Sequence, residues 1–294
     1  MRLRRHGAGG VRAVMPGLLG AALLASVLGS AGCARSQSAS GAGSGSAPGP
    51  QQVRGAATKL AAVGTSKVRT TMAMSSGGTR VTLDGVGEFD YADGTGRLRV
   101  ALPPGSSGAR PGKRRTVTEV LTPGVLYMKN RGAGVPADQW VRVGTTRVPD
   151  GNLVTAGATD PLTAAELLRG AGDIVARGSE RRGGVRVWHF SGTASLTGAA
   201  RRATGPAREQ LLTARRGFAR ALVPFDAYLD ARGRLREVTH RLSYGPPGRR
   251  AADAEREVTP VPVSSTVRLH GFGTPVRITP PPSSAIYPGR VTLS

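Results

Sequence analysis

The chain holds a single cysteine in 294 residues, only four lysines, and aromatics at 4%. Each shortage excludes something. One cysteine closes no disulfide within the chain, and the four histidines, His6, His189, His240 and His270, show no metal-ligating spacing. We therefore expect no metal and no cofactor. With few aromatics, an apolar core has to rest mainly on Val, Leu and Ala. Acidic residues are scarce too, 18 against 41 Lys and Arg, for a formal net charge of +23. That excess invites a nucleic-acid reading, but the basic residues are scattered singly and lysine is confined to Lys59, Lys67, Lys113 and Lys129. They do not cluster beside aromatics as a nucleic-acid surface requires. No nucleic-acid partner is expected. A basic surface instead favours anionic lipids or acidic wall polymers, at about 1 kcal/mol per basic residue near a membrane, screened by salt. Catalytic patterns are also missing: there is no GxSxG elbow, no SxxK and no phosphate-cradling glycine loop. Glu88 and Asp90 fall on the polar face of a strand pattern and Asp93 in a turn, so they read as solvated carboxylates, not an acid/base pair. The chain is not expected to be an enzyme.

What is present starts with the lone cysteine. Arg2, Arg4, Arg5 and Arg12 precede an uncharged run from Val14 to Leu28, too short for the roughly 20 residues of a membrane-spanning helix. This layout predicts an export signal over residues 1–32. The stretch Ser30-Ala31-Gly32-Cys33 resembles the bacterial lipobox, with Ser30 where that motif usually has Leu. It implies cleavage before Cys33 and acylation of its thiol. Residues 34–50 are almost wholly Ser, Ala, Gly, Gln and Pro, a composition that behaves as a flexible tether. The folded part is expected over residues 51–282, with a tail over 283–294.

Within that part, Gln51 to Val63 carries a helical apolar stripe (Val53, Ala57, Leu60, Ala61). Alternation then takes over. Val68, Thr70, Met72 and Met74 share one face, as do Val81, Leu83, Gly85, Gly87, Phe89 and Tyr91. After a turn at Asp93-Gly94, Leu98, Val100 and Leu102 return inward, giving an antiparallel meander. Thr116–Thr122 and Val125–Lys129 flank Pro123-Gly124 as a hairpin, and Gln139–Val143 adds a short strand. Asp160 as N-cap, Pro161 at the first helical position and closing glycines predict a helix over 160–172. Ile174–Glu180 and Val185–Ser191 form a further hairpin. Pro206–Leu222 reads as a basic amphipathic helix ending near Gly217. Val223–Tyr244 is the clearest hairpin of the chain, and extended pieces at 266–269 and 275–279 precede the proline run 280–282. Some nine to eleven strands and two or three helices result. A sheet that large has to curl or close.

The order of these features resembles the LppX/LprG-type actinobacterial lipoproteins, which share the shape of LolA. The matching pieces are the lipobox at Cys33, VLTPGVLYMKN with Trp140, and the 160–193 segment DPLTAAELLRGAGDIVARGSERRGGVRVWHFSGT. The hairpin FDAYLDARGRLREVTHRLSY and the closing HGFGTPVRITPPP match as well. The resemblance implies an α+β fold: a strongly curved antiparallel half-barrel with helices on its concave face, enclosing an apolar cavity for acyl chains. It implies a lipid or lipoglycan ligand, anchorage to the outer face of the cell membrane, and a membrane transporter as partner. Residues 206–222 and 245–257 are longer and richer in Arg than that pattern.

If the inward strand face lines such a cavity, the candidates are Met72, Met74, Val81, Leu83, Phe89, Leu98 and Val100, with Gly85 and Gly87 leaving room. The two methionines suit a cavity that accepts varied chains. The same periodicity fits a filled core. In that case the chain is a sensor or interaction module whose basic surface meets a membrane protein or an anionic wall polymer. Both readings stand on sequence alone.

Overall fold

The structure is a computed structural model, and it describes residues 47–76, 78–103, 115–132, 134–245 and 260–289. Cys33, the export signal and most of the tether lie outside them. Two short helices open the described chain, α1 (Pro50–Arg54) and α2 (Ala56–Val63). They divide at Gly55 the helix expected over 51–63, and Pro50, assigned above to the tether, is the first residue of α1.

Eleven strands follow: β1 Thr65–Ser76, β2 Thr79–Asp90, β3 Thr95–Ala101, β4 Thr116–Thr122, β5 Val125–Lys129, β6 Trp140–Gly144, β7 Ala171–Arg182, β8 Val185–Ser195, β9 Leu222–Asp230, β10 Leu235–Tyr244 and β11 Val261–His270. All join one antiparallel sheet in the order β6-β5-β4-β3-β2-β1-β11-β10-β9-β8-β7. Each half is a meander of neighbours in sequence; the halves meet where β1 pairs β11, with Lys67 opposite His270. The fold is α+β, a curved half-barrel sheet that does not close on itself.

Three more helices pack with α1 and α2: α3 (Pro161–Leu167), which runs into a 3₁₀ turn at Leu168–Gly170, α4 (Leu196–Arg202) and α5 (Gly205–Gly217). Contacts of α2 with β1 and β10, and of α3 with β10 and β11, lay them on one face of the sheet. That face is apolar by alternation. Val68 and Met72 of β1, Val263 and Val267 of β11, Val238 and Leu242 of β10, and Phe225 and Ala227 of β9 are all buried in one continuous core.

Three features differ from the expectation. α4 was not foreseen: its seven residues, LTGAARR, span only two turns, with a short buried stripe of Leu196, Ala199 and Ala200, and start from the Ser195 side chain, which accepts a bond from Gly198 N (3.0 Å). Residues 275–279, read above as an extended piece, join no ladder; Pro275 and then Pro280 lack an N–H. The chain also stays on the fold past Pro282. Ile286 bridges Trp140 in parallel, and Tyr287 N donates to Trp140 O at 2.8 Å, covering the edge of β6.

Candidate functional site

The concave face is not open at its centre. The segment 148–160, between β6 and α3, is buried at all but two positions, Pro149 and Thr155, although it forms no helix or strand beyond turns. A buried loop has to satisfy its own backbone polar groups, and this one does so with side chains. The Asp150 carboxylate accepts from the backbone N–H of Asn152 (3.1 Å) and Thr155 (2.7 Å) and from the Thr155 hydroxyl (2.9 Å). Arg131 donates to the carbonyls of Thr155 (2.8 Å) and Ala156 (3.3 Å). The loop backbone reaches the sheet at Gly157, where a Cβ would stand 3.1 Å from Leu83 Cδ1 and 3.4 Å from Val100 Cγ1.

Beside this plug a cavity of about 470 Å³ remains at one end of the half-barrel. Ala57 and Ala61 of α2, Leu162 of α3 and Ala207 of α5 supply its helical wall. Phe89, Tyr91 and Leu121 supply the sheet wall, with the β2–β3 and β4–β5 turns at its rim. Local chemistry sets these walls. Asp160 caps α3 through Thr163 N (2.8 Å), which aims Leu162 inward. Gly124, at φ +75°, lets the Pro123-Gly124 turn fold tightly. The Phe89 and Tyr91 rings lie 5.1 Å apart, and the Tyr91 hydroxyl is paired with Ser66 Oγ at 2.7 Å. The wall is partly polar: Arg169 Nη2 donates to Glu166 Oε1 (3.0 Å) and to Thr58 Oγ1 (3.2 Å), tying α2 to α3, and Asp93, Asp160 and Gln210 also border the space.

Burial shifts two acids in or near this space. Burial raises the Asp160 carboxyl above its ordinary value, against hydrogen bonds from Thr163 and Gln210 that lower it. Glu119, on the inner face of β4 between Leu98 and Met128, is 1% exposed, and neither carboxyl oxygen has a hydrogen-bond partner among the described residues. Burial pushes it up to about 8, although Arg131 pulls it down. On the far half of the sheet, burial holds His240 down at about 3.

Of the candidates named from alternation, the cavity gathers Phe89 alone. Met72, Leu98 and Val100 are fully buried in the core, and Leu83 packs beneath Gly157. Met74 and Val81 pair with each other near the opposite end of β1 and β2 and are partly buried. Leu121, Leu162 and Ala207 were not singled out as site residues. Leu121 and Leu162 nonetheless fall in two of the motif stretches quoted above, VLTPG and DPLTAAELLRG, which the fold brings to the two sides of the cavity. Among the described residues there is no cluster of His, Cys, Asp or Glu able to hold a metal, and no helix long and apolar enough to cross a membrane.

No family model and no curated protein matches the chain. Among solved structures it is similar to LprF from Mycobacterium bovis, at 12% identity over 80% of this chain and 99% of that one, TM-score 0.41. It is likewise similar to the Mycobacterium tuberculosis lipoprotein LppX, at 12% identity over 78% of this chain and 97% of that one, TM-score 0.43. A third likeness is to a putative outer membrane lipoprotein-sorting protein domain from Vibrio parahaemolyticus, at 10% identity over 78% and 94%, TM-score 0.29. At these identities and TM-scores no ligand and no role follows from the likeness.

Proposed function

We propose that this chain is a non-catalytic lipoprotein, anchored through Cys33 on the outer face of the cell membrane, that takes an acyl chain of a lipid or lipoglycan and carries or presents it in the envelope. The supporting observation is the 470 Å³ cavity between α2, α3, α5 and the sheet end, whose apolar walls of Ala, Leu and Phe are interrupted by polar groups, among them the Glu166–Arg169 ion pair, Asp160 and Gln210. Its volume is that of an ordinary ligand site, about 300–1,000 Å³. Burial of each methylene contributes about 0.8 kcal/mol, so a single long chain suffices for useful affinity. Transfer to a membrane transporter belongs to the same reading. The cavity differs from the one expected over the centre of the sheet, because segment 148–160 occupies that centre.

The plug is also the observation that favours a second reading, a sensor or interaction module with a filled core. Native mass spectrometry on the Cys33→Ser chain, purified from an actinobacterial host and extracted with organic solvent, separates the two. One acylated lipid per chain is the expected result. Protein that is repeatedly empty and refuses a fluorescent fatty-acyl probe would leave the interaction module standing.

A further inference from the structure

The convex face of the sheet carries a second cavity unrelated to the acyl pocket. It is a groove of about 520 Å³ on β1, β10 and β11, walled on one side by the tip of the β7–β8 hairpin. Four guanidiniums line it, Arg69, Arg182, Arg236 and Arg268, against a single carboxylate, Glu237. Strand register produces this arrangement. Arg69 of β1 stands directly opposite Arg268 of β11, which in turn faces Glu237 of β10. Like charges opposed across a ladder repel, and Glu237 relieves only part of that repulsion. Its Oε1 accepts from Arg182 at 2.7 Å and its Oε2 from Arg268 at 2.9 Å, so both carboxylate oxygens are engaged.

Arg69 and Arg236 have no carboxylate partner among the described residues. Arg236 lies over the Phe272 ring, 5.1 Å from its centroid, and Arg182 is fixed against Tyr228 at 3.6 Å. Two cations are thus left over, held on rigid strands and aimed into one groove. Their field is visible at His270, whose imidazole is held below its ordinary value by burial and then by Arg69, Arg236 and Lys67.

We infer that this groove is an anion site for the phosphodiester of a lipid headgroup at a bilayer surface. Guanidinium forks match phosphate oxygens in pairs, and the groove is larger than one phosphate needs. Apolar surface flanks the cations: Val86, opposite Arg69 on β2, is 45% exposed, and Phe272 is half-buried beneath Arg236. Cations beside exposed apolar side chains suit an interface where headgroups meet acyl chains, more than a site immersed in water. The site does not depend on the acyl cavity.

Sedimentation of the Cys33→Ser chain with phosphatidylcholine vesicles, with and without phosphatidylglycerol, tests it. The reading is the gain in affinity conferred by the anionic lipid, so that any affinity for neutral vesicles cancels. The pair Arg69→Glu with Arg236→Glu should reduce that gain at least tenfold. The pair Arg201→Glu with Arg215→Glu, an equal charge change on exposed positions of α4 and α5, should reduce it less than threefold. Equal losses for the two pairs would mean that net charge alone is read, and no loss from the first pair would remove the site; either outcome overturns the inference. Full displacement by soluble glycerophosphoglycerol, in place of binding that persists on the vesicle, would assign the groove to a soluble phosphodiester and overturn the lipid source.

Discussion

Thr159 Oγ1 lies 2.7 Å from Ser265 Oγ, a buried hydroxyl pair that fastens segment 148–160 to the floor of β11. The Thr159 hydroxyl spends its proton on Leu153 O, also at 2.7 Å, so Ser265 is the donor in the pair. Thr159→Val leaves the Ser265 hydroxyl unpaired in a dry site and should cost about 1–3 kcal/mol. Adding Ser265→Ala should restore part of the loss. Urea titration of the two single variants and the double variant checks this, and additive losses would mean that the pair is not coupled.

Gly157 is where the plug meets the sheet, at φ +87° and within van der Waals reach of Leu83 and Val100. An alanine there meets an unfavourable left-handed backbone, about 1–2 kcal/mol, together with pressure on Leu83. Thermal unfolding of Gly157→Ala should show a clear loss of stability. Gly183→Ala, at φ +53° with open space around its Cβ, carries only the backbone cost. Equal effects at the two sites would argue against tight packing of the plug.

Ala207 is half-buried on α5 and lines the cavity proposed to take an acyl chain, without entering the central core. Ala207→Trp should occupy the space an acyl chain would take. Binding of a fluorescent fatty-acyl probe is expected to fall at least tenfold, with the melting temperature within a few degrees of the unmodified chain. Undiminished binding would place the acyl site elsewhere.

The two buried titratable groups on the inner face give stability opposite slopes with pH. Glu119 sits at about 8 in the folded chain against an ordinary 4.5, so the folded state holds a proton that the unfolded state releases. Its contribution is complete below about pH 4.5 and is lost as pH rises towards about 8. His240 is held at about 3 against an ordinary 6.5, so the unfolded state takes up the proton and stability is lost as pH falls from 6.5 towards 3. Asp160, also raised by burial, adds to the slope of Glu119. Stability is therefore expected to peak in mildly acidic solution, between about pH 4.5 and 6.5. In Glu119→Gln the decline on the alkaline side should shrink. Denaturant midpoints at several pH values read this directly; an unchanged alkaline limb in the glutamine variant would contradict the assignment.

How legible the fold was depended on which force shapes each element. β4 and β5 were readable to the residue, and the β9–β10 hairpin nearly so, because one face of each strand is buried and alternation records that. Segment 148–160 left no such record. Its burial rests on Asp150, Arg131 and Thr159 bonding backbone groups, and those residues look like ordinary loop polar residues in a sequence. The same limit applies to the site. Alternation put Phe89, Leu98 and Val100 on one face, as observed, but the period-two pattern contains no information about depth. It could not tell that Phe89 borders a cavity while Leu98 is sealed beneath other side chains. Glu119 was passed over although alternation with Val117 and Leu121 places it on the inward face, because a carboxylate on a strand is expected to stay solvated.

The seam between β1 and β11 sets an order of events for the growing chain. β1 to β6 pair successively with near neighbours, and so do β7 to β10, whereas Lys67 finds His270 only across some two hundred residues of sequence. Closing so long a loop is entropically slower than forming hairpins. The two meanders are therefore expected to be in place as separate curls before the last strand zips them together. Pulse-labelled amide exchange during refolding should protect β4 and β5 ahead of β11, and simultaneous protection of all strands would rule out that sequence. The half-barrel, on this view, acquires its shape only when nearly all of its length is present.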